Sequence, residues 1–344
     1  MDRTIKRHDV QKLLPGKLDH AFLDSLIKKY TKSGDTVFIG SEVGEDATVI
    51  DIGDKYLIAK TDPITFATDA IGYYVVHVNA NDIYCMGGLP KWFLATILLP
   101  ERDTSGQLVE SIFQQIFDTC QKEDIRFCGG HTEITVSLER PIVCGQMLGE
   151  VEKEKIILKK NAKEGDRILL YRPVPIEAVS VIAREKEKEL LLYFSQDFIK
   201  RCKQFLFEPG ISVRRGAVLA QSSGEIHGLH DPTEGGLFTA LNELAFAMGK
   251  GVRVNEEKIP IIPEARELCH FFNLNPLGCI ASGSLLIIAD PQNARHIQNT
   301  FAQKGEPIVD IGEVAIAGKN LLIDVNGKET KLPNFPRDEI VKIF

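Results

Sequence analysis

Two α/β domains in series are what the sequence predicts, on three observations. The chain has 344 residues, and at ~150 residues per domain that makes about two. Segments of helical and of extended periodicity alternate from end to end, with no low-complexity tract and no short-period repeat. A charged stretch over residues 150–166 separates the halves, which puts the domains at 1–160 and 161–344.

In the first half, residues 21–30 have amphipathic helical spacing. Residues 47–52 and 55–60 read as strands joined by the turn Gly53-Asp54. A helix over 71–86 stops at Gly87-Gly88, with Pro90 beyond, a residue that cannot continue it. Residues 92–99 are a continuous apolar run ended by Pro100, the pattern of a buried strand. Thr104 and Gln107 have the spacing of a capping box. Leu108, Val109, Ile112, Phe113, Ile116, Phe117 and Cys120 then form one wide apolar face. Strands over 125–128 and 141–151 complete this half. The second half opens with a strand at 167–171 and helices at 176–186, 196–206, 211–222 and 237–248, the last closed by Gly249. A strand at 252–255, a helix at 264–272 and a strand at 284–289 follow. Residues 321–325 and 328–332 form a hairpin about Asn326-Gly327, which suits a type I′ turn.

Composition excludes several classes. With 44% hydrophobic and 26% charged residues the chain is neither disordered nor collagenous. Its longest apolar run, residues 92–100, is under half the ~20 residues of a bilayer helix, so no membrane partner is expected. Residues 1–10 lack an apolar signal core, and a cytoplasmic protein is expected. Net charge is −7, which gives nucleic-acid binding no support. Seven cysteines, odd in number and without C-x-x-C spacing, argue against structural zinc and a disulfide framework.

No P-loop, dinucleotide-binding or nucleophile-elbow motif is present. What stands out is a series of acidic and amide residues beside glycines at element ends. Gly44-Glu45-Asp46-Ala47 precedes a strand, Lys60-Thr61-Asp62-Pro63 ends one, and Asn79, Asn81 and Asp82 lie on the helix that stops at Gly87. Each aspartate alone also suits a turn cap or a partner cation. Together, carboxylates drawn from separate elements repel unless a cation joins them, and Mg²⁺ bridging to phosphate oxygens is the natural one. Gly129-Gly130-His131-Thr132-Glu133 follows a strand, where paired glycines permit close approach of a ligand, although a polar turn fits as well. His230-Asp231-Pro232-Thr233-Glu234-Gly235-Gly236 opens a helix, with Thr233 as the expected N-cap beside free backbone N–H groups suited to an anion.

In this order and spacing, from about residue 16 to residue 324, the motifs resemble the aminoimidazole ribonucleotide (AIR) synthase-like superfamily. Within it they resemble the hydrogenase maturation protein HypE and its relatives. The resemblance implies a homodimer whose N-terminal sheets join in a barrel across the interface, and a C-terminal α/β sandwich domain. It implies that Mg²⁺ and ATP are bound and that a carbonyl- or amide-type oxygen of a small molecule is phosphorylated, with a maturation protein as a further partner. By position it assigns Asp46, Asp62 and Asp82 to the metal. It assigns Asp46, Thr61, Asn79, Asn81, Asp82, Gly129, Gly130, Thr132 and Thr233 to ATP, and Asp62, Asp231 and His131 to catalysis.

The chain departs from that pattern. HypE ends in a tail whose terminal cysteine carries the reacting group, whereas here residues 336–344 hold none and Cys279 lies 65 residues from the last. Glu234 stands where HypE tends to have Arg. His131 is more reminiscent of selenophosphate synthetases, which need an early Cys or selenocysteine, yet the first cysteine is Cys85. The expectation is a HypE-like ATP-dependent enzyme without the carrier cysteine. The alternatives are a kinase or ligase like thiamine-monophosphate kinase or AIR synthase, and a non-catalytic nucleotide-binding maturation or regulatory protein.

Overall fold

Each domain is built on one sheet whose order departs from the order of the chain. The computed structural model describes residues 17–18, 20–31, 34–40, 44–65 and 69–344. Most of residues 1–19 lies outside the described residues.

The first sheet comprises β1 (Val37–Ile39), β2 (Thr48–Asp51), β3 (Lys55–Ile64), β4 (Leu89–Pro100), β5 (Arg126–Thr135) and β6 (Ile142–Glu152). Its order is β1-β2-β3-β6-β4-β5, antiparallel except for the parallel β4–β5 pair that the helical crossover requires. Helix α1 (His20–Tyr30) precedes it, and α2 (Ile71–Cys85) and α3 (Gly106–Lys122) pack with it. Of the residues of α2, Tyr73 alone escapes burial, because the helix is enclosed by the sheet, α3 and the second domain. Its polar residues are therefore committed to partners or to a site.

The second sheet comprises β7 (Arg167–Tyr171), β8 (Gly228–His230), β9 (Gly251–Asn255), β10 (Leu285–Ala289), β11 (Ile308–Ala315), β12 (Asn320–Ile323) and β13 (Glu329–Lys331). The order is β13-β12-β9-β11-β7-β10-β8, antiparallel except for β12–β9. Its helices are α4 (Ile176–Glu185), α5 (Glu187–Leu190), α6 (Gln196–Gln204), α7 (Arg214–Ser223), α8 (Gly236–Met248), α9 (Pro263–Phe272) and α10 (Pro291–Gln303). β7 and β10 read as unbroken apolar runs because both faces are buried. Leu169, Tyr171, Leu285 and Ile287 face the core that contains α4 and α7, while Ile168, Leu170, Leu286 and Ile288 face the core under α8. The first of these cores continues into the N-terminal domain, so apolar packing crosses the seam between the domains.

Structure and expectation differ at three places. Ser105, not Thr104, caps α3: its Oγ accepts from the Leu108 N–H at 3.2 Å, while the Thr104 hydroxyl donates to the Pro100 carbonyl at 2.6 Å. β5 runs on through Thr135, so Gly129-Gly130-His131-Thr132-Glu133 lies within a strand rather than after one. β1, β8, β11 and α10 were not among the predicted elements. All seven cysteines are free. Among the described residues no helix is long and apolar enough to cross a membrane.

Asn81 ties the domains together. Its Nδ2 donates to the Ile211 carbonyl at 2.9 Å and its Oδ1 accepts from the Val213 N–H at 3.0 Å, both bonds buried. Asn81→Ala strands two buried backbone groups and is expected to cost about 3 kcal/mol. Urea unfolding checks this; a loss below about 0.5 kcal/mol would mean that the seam does not depend on it.

Candidate active site at the domain seam

Four aspartates reach the seam from four separate elements. Gly44, with φ at +88°, lies so close to α8 that a Cβ would come within 2.7 Å of the Glu243 carbonyl. This tight approach sets the position of Asp46, just before β2. On β3, Lys60 and Asp62 share one face because strand side chains alternate. Asn79 on α2 fixes that strand: its Oδ1 accepts from the Asp62 N–H at 2.8 Å, and its Nδ2 donates to the Asp62 carbonyl at 3.2 Å. Asp82 lies three residues further along α2, and Asp231 follows directly on β8.

The charges here are balanced by a small number of cations. Lys159 Nζ lies 2.7 Å from Asp46 Oδ2 and also donates to the Gly44 carbonyl at 2.7 Å. His230 Nδ1 lies 2.7 Å from Asp46 Oδ1. Burial alone would raise the Asp46 carboxyl, but Lys159 and His230 hold it well below the usual carboxylate range. Burial would lower the His230 imidazole, yet Asp46 carries it up to about 9. Lys60 spans Asp62 at 3.2 Å and Asp82 at 3.4 Å. Burial works against its charge, and Asp82, Asp62 and Asp46 outweigh that and raise it.

Two carboxylates stay under-compensated. Burial, with Asp231, Asp62 and Asp46 adding to it, pushes Asp82 well above its ordinary value despite Lys60. Burial and Asp46 likewise raise Asp231, whose Oδ2 has no hydrogen-bond partner. Its Oδ1 faces the Cys85 thiol at 3.6 Å, and burial keeps that thiol protonated. Asp46, His230 and Asp231 present ligand atoms within 4.8 Å of one another. Asp46 Oδ1 is bonded to His230 and Oδ2 is ion-paired with Lys159, so the carboxylates with capacity for a further cation are Asp231 and the pair Asp62 and Asp82. Their carboxylate oxygens are the donors Mg²⁺ takes, while among the described residues Asp46, His230 and Asp231 are the group of three whose ligand atoms already converge.

The four aspartates, Lys60 and His230 line a cavity of about 280 Å³ between the domains. Lys17 reaches its rim and pairs with Glu243 at 3.0 Å. Its other walls are Ile64, Val78, Val181, Ile280 and Ile340, together with Thr233, Glu234, Glu177 and Ser282. Glu177 is only 4% exposed, and its Oε2 has no hydrogen-bond partner. Burial pushes its carboxyl up to about 7, with Ser282 beside it pulling the other way and Asp338 and Glu234 adding to the rise.

Of the residues singled out from sequence, Asp46, Asp62, Asp82, Asp231 and Thr233 line the cavity. Thr233 does not cap α8. The N-cap is Gly235 in the left-handed conformation, and its N–H donates to Asp338 Oδ2 at 2.7 Å. Thr61 donates its hydroxyl to the Gly145 carbonyl at 2.8 Å, and Asn79 and Asn81 are spent on the backbone bonds described above. Gly129, Gly130, His131 and Thr132 lie on the exposed edge strand β5, away from this cavity. There Gly130 makes its close approach to β4, where a Cβ would sit 1.9 Å from the Ala95 carbonyl oxygen. His131 contacts Glu133 at 3.1 Å. Lys60 falls within the Lys60-Thr61-Asp62-Pro63 motif but was given no role of its own. Lys159, Glu177, Glu243 and Ser282 were not among the residues singled out.

The family description "AIR synthase related protein, N-terminal domain" matches residues 44–151, and the corresponding C-terminal domain matches residues 163–323. The chain belongs to the AIR synthase-like superfamily. Within it, the chain is HypE-like. A Methanocaldococcus jannaschii protein, provisionally named as a hydrogenase expression/formation protein, is 27% identical over 263 residues, 74% of each chain. The selenide, water dikinase of Dechloromonas aromatica is 27% identical over 311 residues, 81% of this chain and 86% of its own. Carbamoyl dehydratase HypE of Rhizobium leguminosarum bv. viciae is 24% identical over 261 residues, 73% and 71%. Among solved structures, a chain of the HypE-HypF complex has TM-score 0.73 at 18% identity, covering 92% of this chain and 100% of its own. HypE in complex with ATP has TM-score 0.65 at 20% identity, covering 90% and 89%. AaThiL complexed with AMPPCP and TMP has TM-score 0.71 at 20% identity, covering 95% and 99%. These structures show the shared fold.

Glu177 yields a stability test. Its folded value of about 7 lies above the ordinary 4.5, so wild-type stability falls as pH rises through that interval. Glu177→Gln lacks this loss and is expected to match wild type below pH 4.5. Above pH 7 it is expected to exceed wild type by about 3 kcal/mol. Thermal unfolding across pH measures it; an equal or lower stability at pH 8 contradicts the burial argument.

Proposed function

We propose that this protein is a HypE-like, Mg²⁺·ATP-dependent enzyme that phosphorylates a carbonyl- or amide-type oxygen of a small acceptor held in the cavity between domains divided near residue 160. The observation that carries the proposal is the pair of under-compensated buried carboxylates, Asp231 and Asp82, beside Asp62. Burying charge without compensation is costly, and such sites are retained where a ligand completes them. The relatives add support, since HypE has been solved with ATP and AaThiL with AMPPCP.

In this proposal Asp62, Asp82 and Asp231 hold the Mg²⁺, which supplies charge neutralisation at the transferring phosphoryl group. Asp46 is the anchor of the cluster, fixed by Lys159 and His230. Lys60 holds Asp62 and Asp82 in place without the metal and is displaced from them when the metal enters. Positioning and electrostatics carry most of phosphoryl transfer, so a preformed and rigid acidic site is the main requirement.

The proposal includes a cytoplasmic homodimer. β5 is the open edge of its sheet, with Ile134 and Val136 exposed near its end, and an uncovered edge of this kind favours pairing with another strand. A second copy there gives Gly129, Gly130, His131 and Thr132 a route to the nucleotide that they lack within one subunit. The turn Glu339–Ile343 is docked as cavity wall through Asp338 and Ile340. The acceptor is accordingly a separate molecule rather than a group on this turn. A maturation-protein partner, as in the HypE-HypF complex, belongs to the same proposal.

Thermal unfolding with and without Mg²⁺·ATP tests the nucleotide site. Ligand at 100 times its dissociation constant adds about 2.7 kcal/mol. For a chain of this size that is a rise of several degrees, at roughly 2–4 °C per kcal/mol. The rise is expected to need Mg²⁺ and to vanish in Asp62→Asn. No rise in wild type at millimolar nucleotide contradicts the proposal.

A further inference from the structure

Glu177 and Ser282 line the same cavity and are not among the residues the proposal gives to the metal. Glu177 lies in the first turn of α4, where an acid is ordinarily favoured by the helix dipole. An exposed acid would serve that purpose equally well. Here the side chain is enclosed and its Oε2 has no partner, while Ser282, only 1% exposed, lies beside the carboxyl and is the one group that favours its charged form. A carboxylate oxygen buried in a cavity wall without a partner, beside a hydroxyl that can turn to either neighbour, marks a place where a ligand supplies the missing bond.

The surroundings define that ligand. Asp338 and Glu234 both push the Glu177 carboxyl upwards, and no cation is among the groups that act on it. The rest of this lobe is apolar: Val78, Val181, Ile280 and Ile340. A phosphate or carboxylate placed here would meet Glu177 and Glu234 in the cavity wall, with Asp338 behind it, in a low-dielectric space. A nitrogen bearing hydrogens would satisfy Glu177, and Ser282 can donate to or accept from a neighbouring polar atom. Val78 and Asp82 lie four residues apart on α2, and both line the cavity. That is about 6 Å along the helix, so a small molecule seated in the lobe extends to the acidic cluster.

Resting on the function proposed above, we infer that Glu177 and Ser282 select the acceptor, and that the acceptor is a small neutral or cationic molecule offering an N–H group and carrying no phosphate or carboxylate of its own. This separates the chain from a relative such as thiamine monophosphate kinase, whose substrate carries a phosphate by name.

Two probes of the same shape, isobutyramide and isobutyrate, test the inference by saturation-transfer NMR on the full chain in the presence of Mg²⁺ and AMPPCP. Millimolar isobutyramide is expected to receive saturation and isobutyrate none. Glu177→Leu is expected to abolish the amide signal, and Ser282→Ala to reduce it severalfold. Melting curves of the same samples show that each variant is folded and report nucleotide binding separately. A signal from isobutyrate as strong as that from the amide overturns the inference, as does an amide signal that survives Glu177→Leu, or binding of neither probe. Selective amide binding without any nucleotide-dependent rise in melting temperature upholds the lobe and contradicts the ATP-dependent reading instead.

Discussion

Four aspartates are held together in the seam between two domains, and the surrounding structure is arranged around their mutual repulsion. Asp46 is stable there because Lys159 and His230 each lie 2.7 Å from it. Asp62 and Asp82 share one ammonium, that of Lys60. Asp231 has no equivalent partner, and its Oδ2 is unbonded. The compensation is thus strong at one end of the cluster and incomplete at the other. A site compensated throughout would be an inert salt-bridge network. One left bare would not hold its geometry, so the gradient keeps the walls fixed and leaves room for a cation.

Helix α2 transmits this arrangement through the fold. Asn79 grips the backbone of Asp62, Asn81 grips the second domain at Ile211 and Val213, and Asp82 joins the cluster itself. Three polar residues within one buried turn therefore fix the strand, the partner domain and the site relative to one another. Because the apolar core also runs through the seam, the two domains present the cavity as one packed unit. The C-terminal turn belongs to that unit, with Asp338 bonded to Gly235 and Ile340 in the cavity wall.

Much of this was legible in the sequence. The aspartates were visible because each falls in a short motif with a glycine, proline or amide, a local pattern that survives without tertiary context. The family resemblance rested on the same motifs. Lys159 could not be found, because in a charged stretch it looks like any surface lysine and only tertiary packing shows that it is buried. Glu177 was hidden in the same way by its ordinary place in a first helical turn. Of Gly129 and Gly130, Gly130 makes a close approach to the neighbouring strand at Ala95, while the space beside Gly129 is open. Thr233 gave way as a cap to Gly235, since the left-handed conformation there brings the N–H to Asp338, a contact from a distant part of the chain. α10 was passed over although Asp290 and Pro291 form a proper start and Ala294, Ile297 and Phe301 a buried stripe, because the remaining residues are polar.

The central claim is that the uncompensated carboxylates form a divalent-cation site beside the nucleotide. Anomalous diffraction from crystals grown with Mn²⁺ and AMPPCP tests it most directly. The account predicts an anomalous peak within coordination distance of Asp231 and of Asp62 or Asp82, with Lys60 drawn away from that pair. A cavity without a peak, with Lys60 still spanning Asp62 and Asp82 while the nucleotide is bound elsewhere, would contradict it.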